Sequence, residues 1–271
     1  MQYFTKTFKD RWFRLYPIGD WHVGSKQCDE NFIRHVVDTI RTDDHAVWVG
    51  MGDFMENAIV GSKSDVYTQT LPPREQMEHI VDILSPVKDK GLFCIAGNHE
   101  QRTMRVVGLS PETYIATRLD IPFMGFSCYA QFYVREEQTG THRSHHRGFC
   151  CYFHHNYGGG YSSGGKVNRA EQLRLIAPTA DAIFSGHFHI TSRVPVTWFE
   201  LGKKSVVKKC GYDYITGSAL TWDGSYAEEK AKRPASLEHI RVAFFGGTSG
   251  KYDNREQVYG IIQPDNVGRQ S

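Results

Sequence analysis

The segment AIFSGHFH, residues 182–189, decides the fold class. Ala182 to Ser185 has the pattern of a short buried strand, and Gly186 permits a sharp turn directly after it. His187 and His189 follow, and side chains at i and i+2 of an extended segment point the same way, so they can act as paired ligands. The segment therefore predicts a strand that delivers metal ligands at its carboxyl end.

The same arrangement, polar metal-binding residues directly after a predicted strand, recurs at four other places. They are Asp20-Trp21-His22 after the extended run Trp12 to Gly19, Gly52-Asp53 after Ala46 to Gly50, Gly97-Asn98-His99-Glu100 after Leu92 to Ala96, and His154-His155-Asn156 after Gly148 to Phe153. Loops at the carboxyl ends of strands in an α/β sheet converge on one crevice. The five segments therefore predict one shared site.

Segments with apolar residues at helical spacing alternate with these strands and predict βαβ units. The predicted helices are Asn31 to Ile40, about Arg74 to Lys88, Pro111 to Leu119 and Val167 to Ile176. Phe126 to Val134 is predicted to pair with Gly148 to Phe153, and Thr141 to Arg147 between them to be an exposed loop. Beyond Thr191 the predicted strands are Arg193 to Phe199, Ser205 to Lys209, Tyr212 to Ile215 and His239 to Phe245.

The composition indicates a globular chain of 271 residues with 40% apolar and 13% aromatic residues. We predict a single domain over residues 1–271, with a loosely held tail from about Gly246. No apolar run approaches the roughly 20 residues of a membrane span, and the first residues have no signal-peptide pattern, so the cytoplasm is expected. The six cysteines show no CxxC spacing and fit a reducing compartment. A net charge of +2 excludes no partner class.

The residue types at the five strand ends suit transition metals. Carboxylates, imidazoles and an amide oxygen accept Zn, Mn or Fe, and the 13 histidines of the chain favour such a site. Two ions about 3.5 to 4 Å apart can share a bridging carboxylate and hydroxide. The sequence therefore predicts two divalent transition-metal ions as cofactors.

In this order, the five motifs resemble those of calcineurin-like metallophosphoesterases, over residues 20 to 189. The resemblance implies a four-layer α/β sandwich with two central mixed sheets flanked by helices. It implies that one metal is held by Asp20, His22 and His189, the other by Asn98, His154 and His187, with Asp53 as the bridge. We choose His154 because it directly follows the strand, with His155 as the alternative. Glu100 departs mildly from the family, which more often has Asp.

The resemblance also implies that His99 is a catalytic residue outside the ligand set, either the general acid for the leaving oxygen or a transition-state hydrogen-bond donor. The predicted reaction is hydrolysis of a phosphomonoester or phosphodiester by metal-bound hydroxide, with a small or nucleotide substrate favoured. One alternative is a metal-dependent DNA or RNA nuclease, which predicts a cationic groove. A second is a non-catalytic phosphate-binding scaffold, against which His99 argues.

Further residues are candidates for contact with the substrate. Arg102 can place its planar guanidinium on a phosphate. A glycine-rich loop, Gly158 to Gly165, contains most of a segment, Gly160 to Lys166, that matches a P-loop in its glycines and lysine but fails at Val167, where Ser or Thr is needed. The segment is either a pocket wall or a surface turn. A loop with Trp222, Tyr226, Lys232 and Arg233 could stack a nucleobase, although such aromatics more often pack.

Overall fold

The chain folds into a large curled mixed sheet with helices packed against it. The computed structural model describes all residues except 63, 136–145, 161, 225, 232–233, 235–236, 247–254 and 265–271. The strands are β1 (Gln2–Thr7), β2 (Trp12–Ile18), β3 (Ala46–Gly50), β4 (Gly91–Cys94), β5 (Ser127–Arg135), β6 (His146–His154), β7 (Ala182–Ser185), β8 (Thr191–Leu201), β9 (Val206–Ser218), β10 (Glu238–Phe245) and β11 (Glu256–Ile262). The helices are α1 (Glu30–Thr42), α2 (Pro73–Leu84), α3 (Glu100–Val107), α4 (Pro111–Arg118), α5 (Ser163–Glu171) and the short α6 (Tyr226–Glu229), with 3₁₀ turns at Ser85–Lys90 and Gln172–Leu175.

The strand order of the described sheet is β1-β5-β6-β7-β9-β10-β2-β3-β4, with β8 added to β9 and β11 to β10. The strands β2, β3 and β4 are parallel to one another, as are β6, β7 and β9. Because β10 is antiparallel to both β2 and β9, the two parallel sets run in the same direction. The carboxyl ends of β2, β3, β4, β6 and β7 therefore meet at one edge of the sheet, as the five motifs require.

An apolar core lies where the two halves of the curled sheet face each other. Phe13, Met51 and Phe93 from one half share a cluster with Phe132 and Phe153 from the other. On the opposite face of β2 and β3, a second cluster is formed with α1, α2 and α4. A third cluster packs the segment after α5 on the outer face of β6 and β7. Burial on both faces explains why these strands are apolar almost throughout rather than alternating.

The structure confirms most of the predicted elements in the first 185 residues. The strands Ala46–Gly50 and Ala182–Ser185 have the predicted bounds, and α1 and α4 agree with their predictions to within two residues at each end. Side chains cap these two helices, since Asp29 accepts the Phe32 N–H at 2.9 Å and Ser110 accepts the Thr113 N–H at 3.2 Å. The α-helix predicted to Lys88 ends at Leu84 and continues as a 3₁₀ turn.

Other predictions of elements need correction. The two strands expected at Ser205–Lys209 and Tyr212–Ile215 are one continuous strand, because Gly211 packs closely on Asp181 and Ala180 instead of breaking the chain. The strands β1 and β11 and the helix α3 were not predicted. Residues 256–262 of the expected loose tail form β11 and pair with β10. The glycine-rich segment is partly helical, since α5 begins at Ser163 under a Ser162 cap.

Two predicted surface segments lie partly outside the described residues. The loop expected at 141–147 is described only for the backbone of 146 and 147, within β6. Lys232 and Arg233 are outside the described residues, and Trp222 is half-buried. In the described chain, no helix is long and apolar enough to cross a membrane.

Candidate metal centre

The backbone at the strand ends is strained at the predicted ligands. Nine non-glycine residues of the described chain have positive φ, and five of them are predicted ligands with φ between 51° and 72°. The five are Asp20, His22, Asp53, His187 and His189. A residue in a sparsely populated backbone region costs about 1 to 3 kcal/mol, and such residues cluster at functional sites. The turns therefore hold these five residues in a backbone conformation that non-glycine residues disfavour.

Two glycines allow the loops after β3 and β4 to touch. A Cβ on Gly97 would lie 2.1 Å from the backbone nitrogen of Asp53 and 2.3 Å from its Oδ1. A Cβ on Gly52, whose φ is 85°, would lie 2.3 Å from the Gly97 nitrogen. Any side chain at either position would push the Asp53 and Asn98 segments apart, so both glycines are needed for the close approach.

One group of donors combines the loops after β2 and β7. His22 Nε2 lies 3.2 Å from His189 Nε2, and His189 Nε2 lies 3.3 Å from Asp20 Oδ1. Asp20 is fully buried, and its carboxylate also accepts the backbone N–H of His187 at 2.9 and 3.0 Å. Two imidazole nitrogens and a carboxylate oxygen thus converge within 4.8 Å of one another.

A second group combines the loops after β3, β4, β6 and β7. His155 Nε2 lies 3.1 Å from Asp53 Oδ2 and 3.1 Å from Asn98 Oδ1. His187 completes the group, with a ligand atom within 4.8 Å of those of Asp53 and His155. Its buried Nδ1 has no hydrogen-bond partner among the described residues. The group therefore offers two imidazoles, a carboxylate and an amide oxygen.

Asp53 lies between the two groups. Its Oδ1 accepts the His99 backbone N–H at 2.8 Å, while its buried Oδ2 makes an ion-pair contact with His155 but no hydrogen bond of good geometry within the described chain. Oδ2 is 3.1 Å from His155 Nε2 and 4.0 Å from His22 Nε2. Burial lowers the pKa of His155, but Asp53 and Asp20 outweigh burial and raise it to about 10. The carboxylates therefore stabilise positive charge at the junction of the two groups.

Hydrogen bonds on the outer nitrogens orient three of the imidazoles. His155 Nδ1 donates to the Met51 carbonyl at 2.7 Å, and His187 Nε2 donates to the Gly158 carbonyl at 2.6 Å. His22 Nδ1 lies 3.2 Å from Glu56 Oε2. In the neutral form of each ring the bonded nitrogen carries the proton, so the other nitrogen can present its lone pair to a metal that displaces any second proton. Outer partners of this kind are a general feature of metal-ligating histidines.

Glu56 is a site residue that sequence reasoning missed. It lies three residues after Asp53, and its side chain is mostly buried against His22. Burial alone would raise the pKa of Glu56, but the hydrogen bond to His22 outweighs burial and lowers it to about 2. The carboxylate is therefore ionised at neutral pH. Only its position soon after Asp53 could have drawn attention to it, because its partner is 34 residues away.

We expect Glu56→Ala to lower metal affinity about 10- to 100-fold, because loss of an outer partner of a ligating histidine has that effect. Glu56→Gln should lose less, because its amide oxygen still accepts the His22 Nδ1 proton. The matched control is Glu78→Ala, an exposed glutamate on α2 that pairs with Arg74. Calorimetric titration with Mn²⁺ and Zn²⁺ measures the difference. Equal affinities of Glu56→Ala and Glu78→Ala would contradict this role for Glu56.

His99 lies beside the cluster but its ring nitrogens are already engaged. Nδ1 donates to the Glu56 carbonyl at 2.7 Å, and Nε2 accepts from Arg102 Nη2 at 2.8 Å. Burial lowers the pKa of His99 to about 3, so the ring is neutral. Although its ring lies within reach of His22 and Asp53, the arrangement gives it no lone pair for a metal.

Arg102 is held next to His99 by several acceptors. Its Nη1 donates to the Glu56 carbonyl and to Ser64 Oγ, each at 2.9 Å. The structure thus brings Arg102 to the centre. Lys166 lies in the first turn of α5, where its backbone N–H bonds to Ser162, and its side chain is half-buried.

The choice of His154 as a ligand needs correction. Along β6 the side chains alternate, so Cys151 and Phe153 enter the central core while Tyr152 enters the outer cluster. His154 is two residues after Tyr152 and so lies on the same outer face, where their ring centroids are 6.4 Å apart. His155 has the parity of Phe153 and points to Asp53, while His154 Nδ1 accepts the Asn156 N–H at 2.7 Å. The alternative histidine of the pair is therefore the one that joins the cluster.

Comparisons with known proteins give distant likenesses. No protein-family model matches the chain, and no curated protein matches its sequence. Among solved structures, a conserved uncharacterised protein of Streptococcus pneumoniae TIGR4, described as a predicted phosphoesterase, is similar to it at 11% identity and a TM-score of 0.35, over 92% of this chain and 98% of that one. GAP50, the anchor in the inner membrane complex of Plasmodium, is similar at 11% identity and a TM-score of 0.49, over 95% and 86%.

Proposed function

We propose that this chain is a metal-dependent phosphoesterase of the calcineurin-like type, with the four-layer sandwich that this family implies. Its centre would hold two divalent transition-metal ions. The donor groups that support the proposal are, for one ion, Asp20, His22 and His189, for the other, Asn98, His155 and His187, and between them Asp53.

The observation that carries the proposal is the buried Oδ2 of Asp53. A carboxylate oxygen without a hydrogen bond is costly in the interior unless positive charge compensates it. Without a metal the protonated ring of His155 supplies that charge, and a bound cation would replace the proton. This oxygen faces imidazole nitrogens of both groups, at 3.1 Å and 4.0 Å. Because hydrogen bonds orient those imidazoles from outside, the donors fit a pair of ions such as Mn, Zn or Fe. A bound ion pair supplies an activated water and stabilises charge on phosphate oxygens.

The residues of the chain beside the centre would bind and orient the phosphate. Arg102 presents a guanidinium on the same side as His99, and a phosphate is a stronger acceptor for it than a neutral imidazole. Arg102 would therefore shift its hydrogen bonds to the phosphate and release His99 Nε2. Once released, His99 Nε2 can take up a proton from solvent, which the nearby phosphate charge would favour, and then donate it or a hydrogen bond to the leaving oxygen.

The test is hydrolysis and metal binding measured on the same preparation. Protein loaded with Mn²⁺, Zn²⁺ or Fe²⁺ should hydrolyse p-nitrophenyl phosphate or bis-p-nitrophenyl phosphate, and a chelator should abolish the activity. Calorimetry should show two metal sites. Binding of metals and inorganic phosphate without hydrolysis of any monoester, diester or nucleic acid would instead support a phosphate-binding scaffold. Preferential cleavage of single-stranded DNA or RNA would support the nuclease.

We expect His155→Ala to lose one metal site and at least about 100-fold in activity, since loss of a ligand exceeds loss of an outer partner. His154→Ala is the matched control, because it removes the neighbouring imidazole whose ring lies outside the cluster. It should bind two metals and keep most of its activity. Metal stoichiometry by elemental analysis and initial rates distinguish the two variants. The opposite pattern, with His154→Ala the inactive variant, would return the ligand role to His154.

A further inference from the structure

An exposed aromatic ring lies directly beside the candidate centre. Tyr157 is 63% exposed and follows His155 by two residues. The next residue is Gly158, whose carbonyl oxygen accepts the hydrogen bond of His187 Nε2 at 2.6 Å. His155, a donor of the second group, thus lies two residues before Tyr157, and the carbonyl that orients His187 belongs to the residue after it. The turn that holds Tyr157 therefore adjoins the centre.

The turn that carries Tyr157 is fixed by buried hydrogen bonds. Asn156 has a φ of 74° and is 6% exposed, and its Nδ2 donates to Ser185 Oγ at 3.1 Å. The Oδ1 of Asn156 accepts the Tyr157 backbone N–H at 2.9 Å. The buried amide therefore holds the backbone of an exposed aromatic residue in place.

The ring itself is held by a cation. The guanidinium carbon of Arg169 lies 4.7 Å from the centroid of the Tyr157 ring, and Arg169 is held on α5 by Gln172 Oε1. A cation over the face of an aromatic ring is attractive, which reduces the freedom of the ring. Since the ring is still more than half exposed, it offers apolar aromatic surface that no residue of the described chain covers.

A second exposed ring belongs to the same edge. Phe126 is 66% exposed and lies between Gly125, whose carbonyl accepts the Ala96 N–H, and Ser127, which pairs with His154. Its backbone therefore lies beside the segments that carry Asn98 and His155. Large aromatic residues that remain exposed next to a phosphate site provide surfaces on which bases stack.

We propose that Tyr157, backed by Arg169, is a stacking platform for a nucleobase, and that the substrate is a phosphodiester with a nucleoside on one side. The proposal rests on the proposed phosphoesterase function and names its substrate class. A base on Tyr157 would place the attached phosphate toward His155 and His187, since His155 is two residues before Tyr157 and His187 donates to the carbonyl of Gly158, the residue after it. We expect the platform to change the affinity for the substrate and not the rate of the chemical step at the metal centre.

The experiment compares two diesters with the same leaving group, thymidine 5′-(p-nitrophenyl phosphate) and ethyl p-nitrophenyl phosphate, on the metal-loaded enzyme. Tyr157→Ala should raise KM for the thymidine diester about 10-fold, because a base–aromatic stack has an effect of that order, and leave the ethyl diester unchanged. Tyr157→Phe should restore the wild-type KM. Tyr3→Ala is the control, since Tyr3 is equally exposed at 63% but lies on β1, away from the motif loops.

A binding measurement separates this proposal from the proposed function. Calorimetric titration with thymidine 5′-monophosphate and with ribose 5-phosphate needs no turnover, and Tyr157→Ala should weaken only the first. If the enzyme hydrolyses neither diester but Tyr157→Ala still weakens only the nucleotide, the phosphoesterase function fails and the platform stands. Tyr157→Ala could instead change the KM of both diesters equally or of neither, and weaken thymidine 5′-monophosphate and ribose 5-phosphate equally or not at all. That result would overturn the platform while the hydrolysis stands.

Discussion

The variant Asp53→Asn should lose metal-dependent hydrolysis by more than about 100-fold while remaining folded. Changes to outer partners of metal ligands already have effects of 10- to 100-fold, and Asp53 is placed between both donor groups. The amide keeps the acceptor for the His99 backbone N–H but removes the negative charge from the position between His155 and His22. Metal stoichiometry should fall below two. Rates with each metal, together with elemental analysis, measure both effects.

The control for this prediction is Asp38→Asn, which removes one carboxylate from an exposed position on α1. It should leave the rate and the metal content unchanged. Circular dichroism and thermal melting of metal-free protein show whether Asp53→Asn is folded. A folded Asp53→Asn that binds two metals and hydrolyses at the wild-type rate would remove the central observation on which the proposed function depends.

The parallel strands could be predicted from the sequence because each is a short apolar run that ends in a polar turn. Both faces of β3 and β7 are buried, so their apolar runs carry no competing pattern and their bounds were predicted correctly. The strands β1 and β11 were missed because they are edge strands, with exposed and half-buried residues dominating their patterns. Their pairing partners, β5 and β10, are distant in sequence or separated by a long connection.

The candidate site was predictable to the level of strand ends, but its internal contacts were not. Side chains alternate between the two faces of a strand, so the residues on the core face of β6 are Cys151 and Phe153 and the next in that series is His155. Extending the alternation beyond the strand would have selected His155. The pairing of Glu56 with His22, and of Arg102 with His99, depends instead on how the loops after β2, β3 and β4 pack. No local pattern encodes such distances, because the partners belong to different turns brought together by the sheet.

Glu100 illustrates how one buried side chain holds the turn after β3. It is fully buried, and its carboxylate accepts three backbone N–H groups, from Asp53 at 3.0 Å, Phe54 at 2.7 Å and Met55 at 3.2 Å. Burial, together with the nearby Asp53, raises its pKa well above the usual range. The role of the fourth residue of the Gly97-Asn98-His99-Glu100 motif is thus to position the Asp53 turn rather than to bind a metal.

We expect Glu100→Ala to lower the free energy of unfolding by about 3 to 5 kcal/mol, because each buried N–H left without an acceptor costs about 1 to 3 kcal/mol. Glu100→Gln is the matched control. Its amide oxygen can still serve Phe54 and Met55, while its NH₂ group faces the Asp53 N–H, so one of the three bonds is lost and the effect should be smaller. Urea unfolding of the metal-free variants measures the order. If Glu100→Ala were as stable as the wild type, the three hydrogen bonds could not be what holds the Asp53 turn, and the left-handed conformation of Asp53 would need another support.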